Sequence, residues 1–100
     1  MTAPDESPLL GRWRLLRADA ALDFAPGVSM EFQPGGRLLY AFDSGDHRQE
    51  VTIWFRVEGD QLHTHSPATD HETVAHFVIG EGGALILDFA GDRAWLLPEL

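Results

Sequence analysis

The sequence predicts an all-β domain, a small up-and-down antiparallel β-barrel of about eight strands. Three observations carry that expectation. Apolar and polar residues alternate with a period of two in run after run, as in VSMEF (28–32) and EVTIWFRV (50–57). Stretches rich in Gly, Asp and Pro break these runs at short intervals. The connections are mostly shorter than the dozen residues a parallel crossover needs, so successive strands must run antiparallel.

Taken in order, residues 1–8 hold two prolines and two acids with little that packs, and read as a flexible N-terminal arm. A single domain over 9–100 follows, since 100 residues leave no room for a second core. LLGRWRLLRA (9–18) sets Gly11, Trp13 and Leu15 on one face and Arg12, Arg14 and Leu16 on the other. DAALDFAPG (19–27) is a long link with room for a helical turn before Pro26-Gly27 breaks it. VSMEF turns Val28, Met30 and Phe32 inward, and QPGG (33–36) supplies two glycines for a turn. RLLYAFD (37–43) returns with Leu38, Tyr40 and Phe42 inward.

SGDHRQ (44–49) reads as the next loop, after which Val51, Ile53, Phe55 and Val57 face in from the strand at 50–57. EGDQ (58–61) closes a hairpin into LHTHS (62–66), and PATD (67–70) leads into HETVAHFVIG (71–80). EGG (81–83) turns into ALILDFA (84–90), and a Gly-Asp turn leads to RAWLLPEL (93–100). These last strands add Leu62, Phe77, Ile79, Leu85, Leu87, Phe89 and Leu96 to the inward set. Eight such strands can close on themselves and leave no exposed edge.

Composition narrows the function classes. The chain is 44% hydrophobic with three Trp and six Phe, enough for a packed core without cross-links. With no cysteine, disulfides, thiolate metal sites and thiol nucleophiles are all excluded. A reducing compartment is compatible with this, the polar opening MTAPDESP is unlike a secretory signal, and no apolar run approaches the roughly 20 residues of a membrane span. A cytoplasmic protein is the expectation. The net charge is −9, from sixteen acids against seven arginines and no lysine. Nucleic acids and anionic membranes draw on clustered cations, so neither is expected as a partner.

HTHSPATDHETVAH (63–76) gathers four of the five histidines. On a strand His63 and His65 share a face, and His76 stands on the outer face between Val74 and Val78. Pairing of the two strands can bring His63 or His65 near His76 or His71, and two or three imidazoles with a carboxylate suit zinc or nickel. The spacing matches no metal signature. The residues therefore read as solvent-facing imidazoles, with His63, His65 and His76 as the candidate ligands if a metal binds. No cofactor is implied. DSGDH (43–47) reads as a hairpin tip rather than a hydrolytic centre, and the glycine pairs at 35–36 and 82–83 precede strands, not the helix a phosphate cradle requires. No enzyme is expected.

LLGRWRL resembles the Gly-x-Trp opening of lipocalins and other calycins, here Gly11 and Trp13. MEFQPGGRLLYAF, RVEGDQLHTHSP and GALILDFAGDRAWLL resemble the hairpins of short bacterial lipocalin-like domains. The resemblance covers roughly residues 9–97. It implies a barrel whose Trp caps one end under a basic side chain from the last strand, for which Arg93 is the candidate. It also implies a cup that takes small apolar ligands, and it names no particular one.

An eight-stranded barrel is just wide enough to be filled by side chains or to hold one small ligand. The inward set is bulky, so a mostly filled, dry interior is expected. Any remaining pocket should open away from Trp13, with Tyr40, Phe42, Phe55 and Phe77 as its lining. On the water side, Leu39, Trp54, Val74, Val78, Ile86 and Trp95 suggest an apolar patch, for which a twofold homodimer is the simplest partner. The leading expectation is a non-catalytic binding domain for a small hydrophobic ligand. The second is an interaction module acting through the outer patch.

Overall fold

The computed structural model describes residues 9–22, 24 and 27–99, so the arm expected over 1–8 lies outside the described residues. Eight strands run in sequence: β1 Gly11–Ala18, β2 Ser29–Gln33, β3 Arg37–Ser44, β4 His47–Glu58, β5 Gln61–Ser66, β6 His71–Ile79, β7 Leu85–Phe89 and β8 Asp92–Pro98. Each pairs antiparallel with the next, and β1 pairs with β8, so the sheet is a closed up-and-down barrel. Two 3-10 turns, Ala20–Leu22 and Glu81–Gly83, interrupt the strands. Among the described residues no helix is long and apolar enough to cross a membrane.

The period-two reading places most side chains correctly. Trp13, Val28, Met30, Phe32, Leu38, Phe55, Val57, Leu62, Leu85, Leu87 and Leu96 are buried in one core. Three features depart from it. Ile79 is exposed rather than inward, because it ends β6 where the chain leaves the sheet. Residues 47–49 belong to β4, so the link after β3 is only Gly45-Asp46, and residues 43–50 form an exposed hairpin end. Between Leu15 and Arg17 the β1–β8 register slips by one residue. That bulge leaves both Leu16 and Arg17 on the outside before Ala18 turns in again.

The two ends of the barrel are built differently. At one end lie the start of β1, the β2–β3, β4–β5 and β6–β7 turns and the end of β8. Trp13 is buried here, opposite Pro98 of β8, and its indole N–H donates to the Leu9 carbonyl at 2.9 Å. Leu9 is itself fully buried. Gly11 holds φ +117°, a conformation that side-chain-bearing residues adopt only under strain and glycine adopts freely. Phe32 and Phe55 meet edge to face at 5.0 Å and fill the lumen behind Trp13.

Arg93 does not cap this tryptophan. It stands at the opposite end, on the second residue of β8, with Nε 3.3 Å from Asp88 Oδ2. The last strand runs toward Trp13 and reaches it only at Pro98, so no basic side chain of β8 is in place. The observed arginine–indole contacts are Arg17 over Trp95 at 4.1 Å, on the outer face, and Arg37 over Trp54 at 5.9 Å.

Candidate functional site

The other end of the barrel is hollow. A cavity of about 420 Å³ opens between the β3–β4, β5–β6 and β7–β8 hairpin ends. The expectation of a mostly filled interior therefore holds only for the half nearest Trp13. Met30, Leu38, Leu62, Ala75 and Leu87 form the buried part of the apolar wall, while Tyr40, Ile53 and Phe89 are its half-buried part. Space exists because small residues share this level with the large ones. Ala75 is a buried inward position in the cavity wall, and an alanine leaves several methylene volumes open where a leucine would fill them.

The 19–27 link contributes to the site. Ala21, Leu22 and Phe24 lie over the mouth as part of the cavity wall. Asp19 fixes the link at its start: its N–H donates to the Arg93 carbonyl at 2.9 Å, and its carboxylate accepts from the Arg93 N–H at 2.8 Å. Arg48 fixes it at its end, donating to the Gly27 carbonyl at 2.9 Å, to Asp43 Oδ1 at 2.8 Å and to Ser29 Oγ at 2.8 Å. Between those anchors Phe24 meets Tyr40 at 6.5 Å, and Tyr40 meets Phe42 at 5.7 Å.

Of the four expected lining residues, Tyr40 lines the cavity, and burial pushes its phenol pKa upward. Phe42 stands behind Tyr40 at the rim. Phe55 lies beneath the cavity floor against Phe32. Phe77 sits at the filled end, where its N–H donates to the Asp60 carbonyl by the β4–β5 turn. Alternation tells which side of the sheet a residue faces but not how deep along the axis it lies.

The polar lining consists of Tyr40, Thr64, Thr73 and His71. His71 pairs with Ser66 as the first residue of β6, exposed beside the β5–β6 turn and on the inward phase shared with Thr73 and Ala75. The signal was present in the sequence, since His71 is two residues before Thr73 and four before Ala75.

The remaining cluster histidines stand on the outer face and are kept apart. His63 Nε2 lies 3.5 Å from Glu58 Oε2, His65 Nε2 3.0 Å from Asp70 Oδ1, and His76 Nδ1 3.6 Å from Asp60 Oδ2. Each faces a different carboxylate. Opposite them in the ladder are Val74, Glu72 and Gln61, so no second imidazole is directly across from any of the three. Among the described residues no group of three His, Cys, Asp or Glu is placed to hold a metal.

The outer apolar residues divide into two groups. Val78, Ile86 and Trp95 align across β6, β7 and β8, with Leu16 exposed on adjacent β1. Trp54 and Val74 lie elsewhere, with His63 and His65 of β5 between them. Leu39 is half-buried on β3, apart from both groups. Comparison of the chain with protein-family models, with curated protein sequences and with solved structures finds no match.

Proposed function

We propose that this protein is a non-catalytic binding domain that holds a small, mainly apolar molecule in the open half of its barrel. The supporting observation is the cavity of about 420 Å³, walled largely by aliphatic and aromatic side chains with a few hydroxyls and one imidazole. That volume lies within the range of about 300–1,000 Å³ typical of small-molecule sites. At about 30 Å³ per water it equals the space of roughly fourteen waters. An apolar molecule released from water into such walls gains about 25 cal/mol for each Å² it buries.

Titration with N-phenyl-1-naphthylamine, an uncharged dye that brightens in apolar surroundings, tests the reading. Saturable one-to-one binding is expected. Ala75→Phe fills the cup from its wall without touching the filled end, and it should abolish the signal while the far-ultraviolet spectrum stays that of a β-barrel. Equal binding by wild type and Ala75→Phe refutes the cup as the site.

A second reading rests on the Val78–Ile86–Trp95 row, where Val78 is 57% and Leu16 54% exposed. Apolar outer residues in register across three strands, Val78 exposed and Ile86 and Trp95 half-buried, suit self-association through a twofold contact. Sedimentation of wild type against Val78→Asp tests it. A dimer that becomes a monomer supports the reading, and a wild-type monomer at all concentrations removes it.

A further inference from the structure

We propose that the cup selects its occupant by charge, admitting apolar molecules with uncharged or cationic heads and rejecting anionic amphiphiles such as alkyl carboxylates and sulfates. The inference rests on the binding role argued above and names the ligand class. Two independent features carry it.

The first is the wall. Among the described residues its lining includes no arginine, and the chain contains no lysine. The groups able to hydrogen-bond inside are the Tyr40, Thr64 and Thr73 hydroxyls and the His71 ring, with His71 at the mouth. A hydroxyl can donate to or accept from an alcohol, amide or amine. A carboxylate drawn from water into this wall would meet no fixed cation, and an unpaired charge in an apolar setting is strongly disfavoured.

The second is the rim. The turns, link and strand ends at the mouth carry Asp19, Asp43, Asp46, Asp70, Asp88 and Asp92, against Arg17, Arg48 and Arg93. Arg17 lies over the Trp95 ring on the outer face, and Arg48 and Arg93 pair with Asp43 at 2.8 Å and Asp88 at 3.3 Å, so the excess of negative charge is carried by Asp19, Asp46, Asp92 and Asp70, the last of these 3.0 Å from the His65 ring. Asp92 is paired with Phe89, itself part of the cavity wall, and has the inward phase of Ala94 and Leu96. A mouth with a net negative charge over low-dielectric walls concentrates the field along the entry path. That field repels an approaching anion and draws in a cation.

The test compares ligands that share an apolar body. Decanol, decylammonium and decanoate each displace N-phenyl-1-naphthylamine from wild type at pH 8 and low salt, with Ala75→Phe as the filled control. Decanol and decylammonium should compete at least tenfold more strongly than decanoate. The sulfonated form of the dye, 1-anilinonaphthalene-8-sulfonate, should bind at least tenfold more weakly than the uncharged one. His71→Lys, which adds a fixed cation to the wall, should raise the strength of decanoate competition relative to decanol several-fold. Decanoate matching decanol on wild type overturns charge selection while leaving the cup intact. Dye binding that Ala75→Phe does not remove overturns the cup itself, and charge selection with it.

Discussion

The β2–β3 turn contains two adjacent glycines that look alike in sequence but differ in what surrounds them. Gly35 and Gly36 hold φ values of +92° and +89°, so an alanine at either must adopt a left-handed backbone at a cost of about 1–2 kcal/mol. Part of this is offset, by about 0.4–1 kcal/mol, because alanine restricts the unfolded chain. Beyond that point the two differ. A Cβ on Gly35 meets nothing within 4 Å, whereas one on Gly36 would lie 2.9 Å from the Phe55 carbonyl oxygen. The same two residues are joined by the Phe55 N–H donating to the Gly36 carbonyl at 2.8 Å. Relieving the clash by moving the strands apart weakens that bond, which contributes about 1 kcal/mol, and disturbs the Phe32–Phe55 contact behind it.

Gly35→Ala should therefore cost about 1 kcal/mol and Gly36→Ala about 2–3 kcal/mol. With a urea slope of about 2 kcal/mol per molar, the midpoints should differ by about 0.5–1 M. Urea unfolding followed by Trp fluorescence measures this directly. Equal midpoints for the two variants would show that β2–β3 and β4 do not approach as described, and the packing account of the filled end would fail with them.

Other outcomes follow from the same geometry. Ala90 has φ +57° in the Ala90-Gly91 turn between β7 and β8, where Asn-Gly suits both positive angles better. Ala90→Asn should stabilise the fold by about 0.5–1 kcal/mol and raise Tm by about 2–6 °C in calorimetry, and a lowered Tm argues against this turn. Tyr40 is the only tyrosine, so tyrosinate absorbance near 295 nm reports it alone. Burial raises its folded pKa above 10, so the unfolded chain ionises first. Its contribution to stability is complete below pH 10 and is lost as pH rises through the folded value. A midpoint at or below 10 would place Tyr40 outside the wall.

The fold was legible because side-chain alternation is a local property that survives without tertiary information. Phe32, Leu38, Phe55 and Leu87 could each be assigned to the core from their neighbours alone. Depth along the barrel axis was not legible, since it depends on the stagger of all eight strands. Phe55 and Phe77 thus shared an expected lining role with Tyr40, yet they end up beneath the floor and at the filled end. Leu9, at the edge of the acidic opening segment, gave no sign that the Trp13 indole would bond to its carbonyl. Leu22 and Phe24 looked like parts of a connector, and only the Asp19–Arg93 and Arg48–Gly27 bonds at its two ends turn them into cavity wall. Ala75 carried the least signal of all. An inward alanine leaves room for the hollow, but a large residue announces what it fills more readily than a small one announces what it leaves open.

The central claim is that the barrel is packed at the Trp13 end and hollow at the other. Nuclear Overhauser contacts between bound N-phenyl-1-naphthylamine and the protein methyls test it most directly. They should reach Leu38, Ala75 and Leu87, and should be absent from Val57, Leu85 and Leu96 around the filled end. Contacts confined to Val78 and Ile86 on the outer face, or spread evenly over both ends, would contradict it.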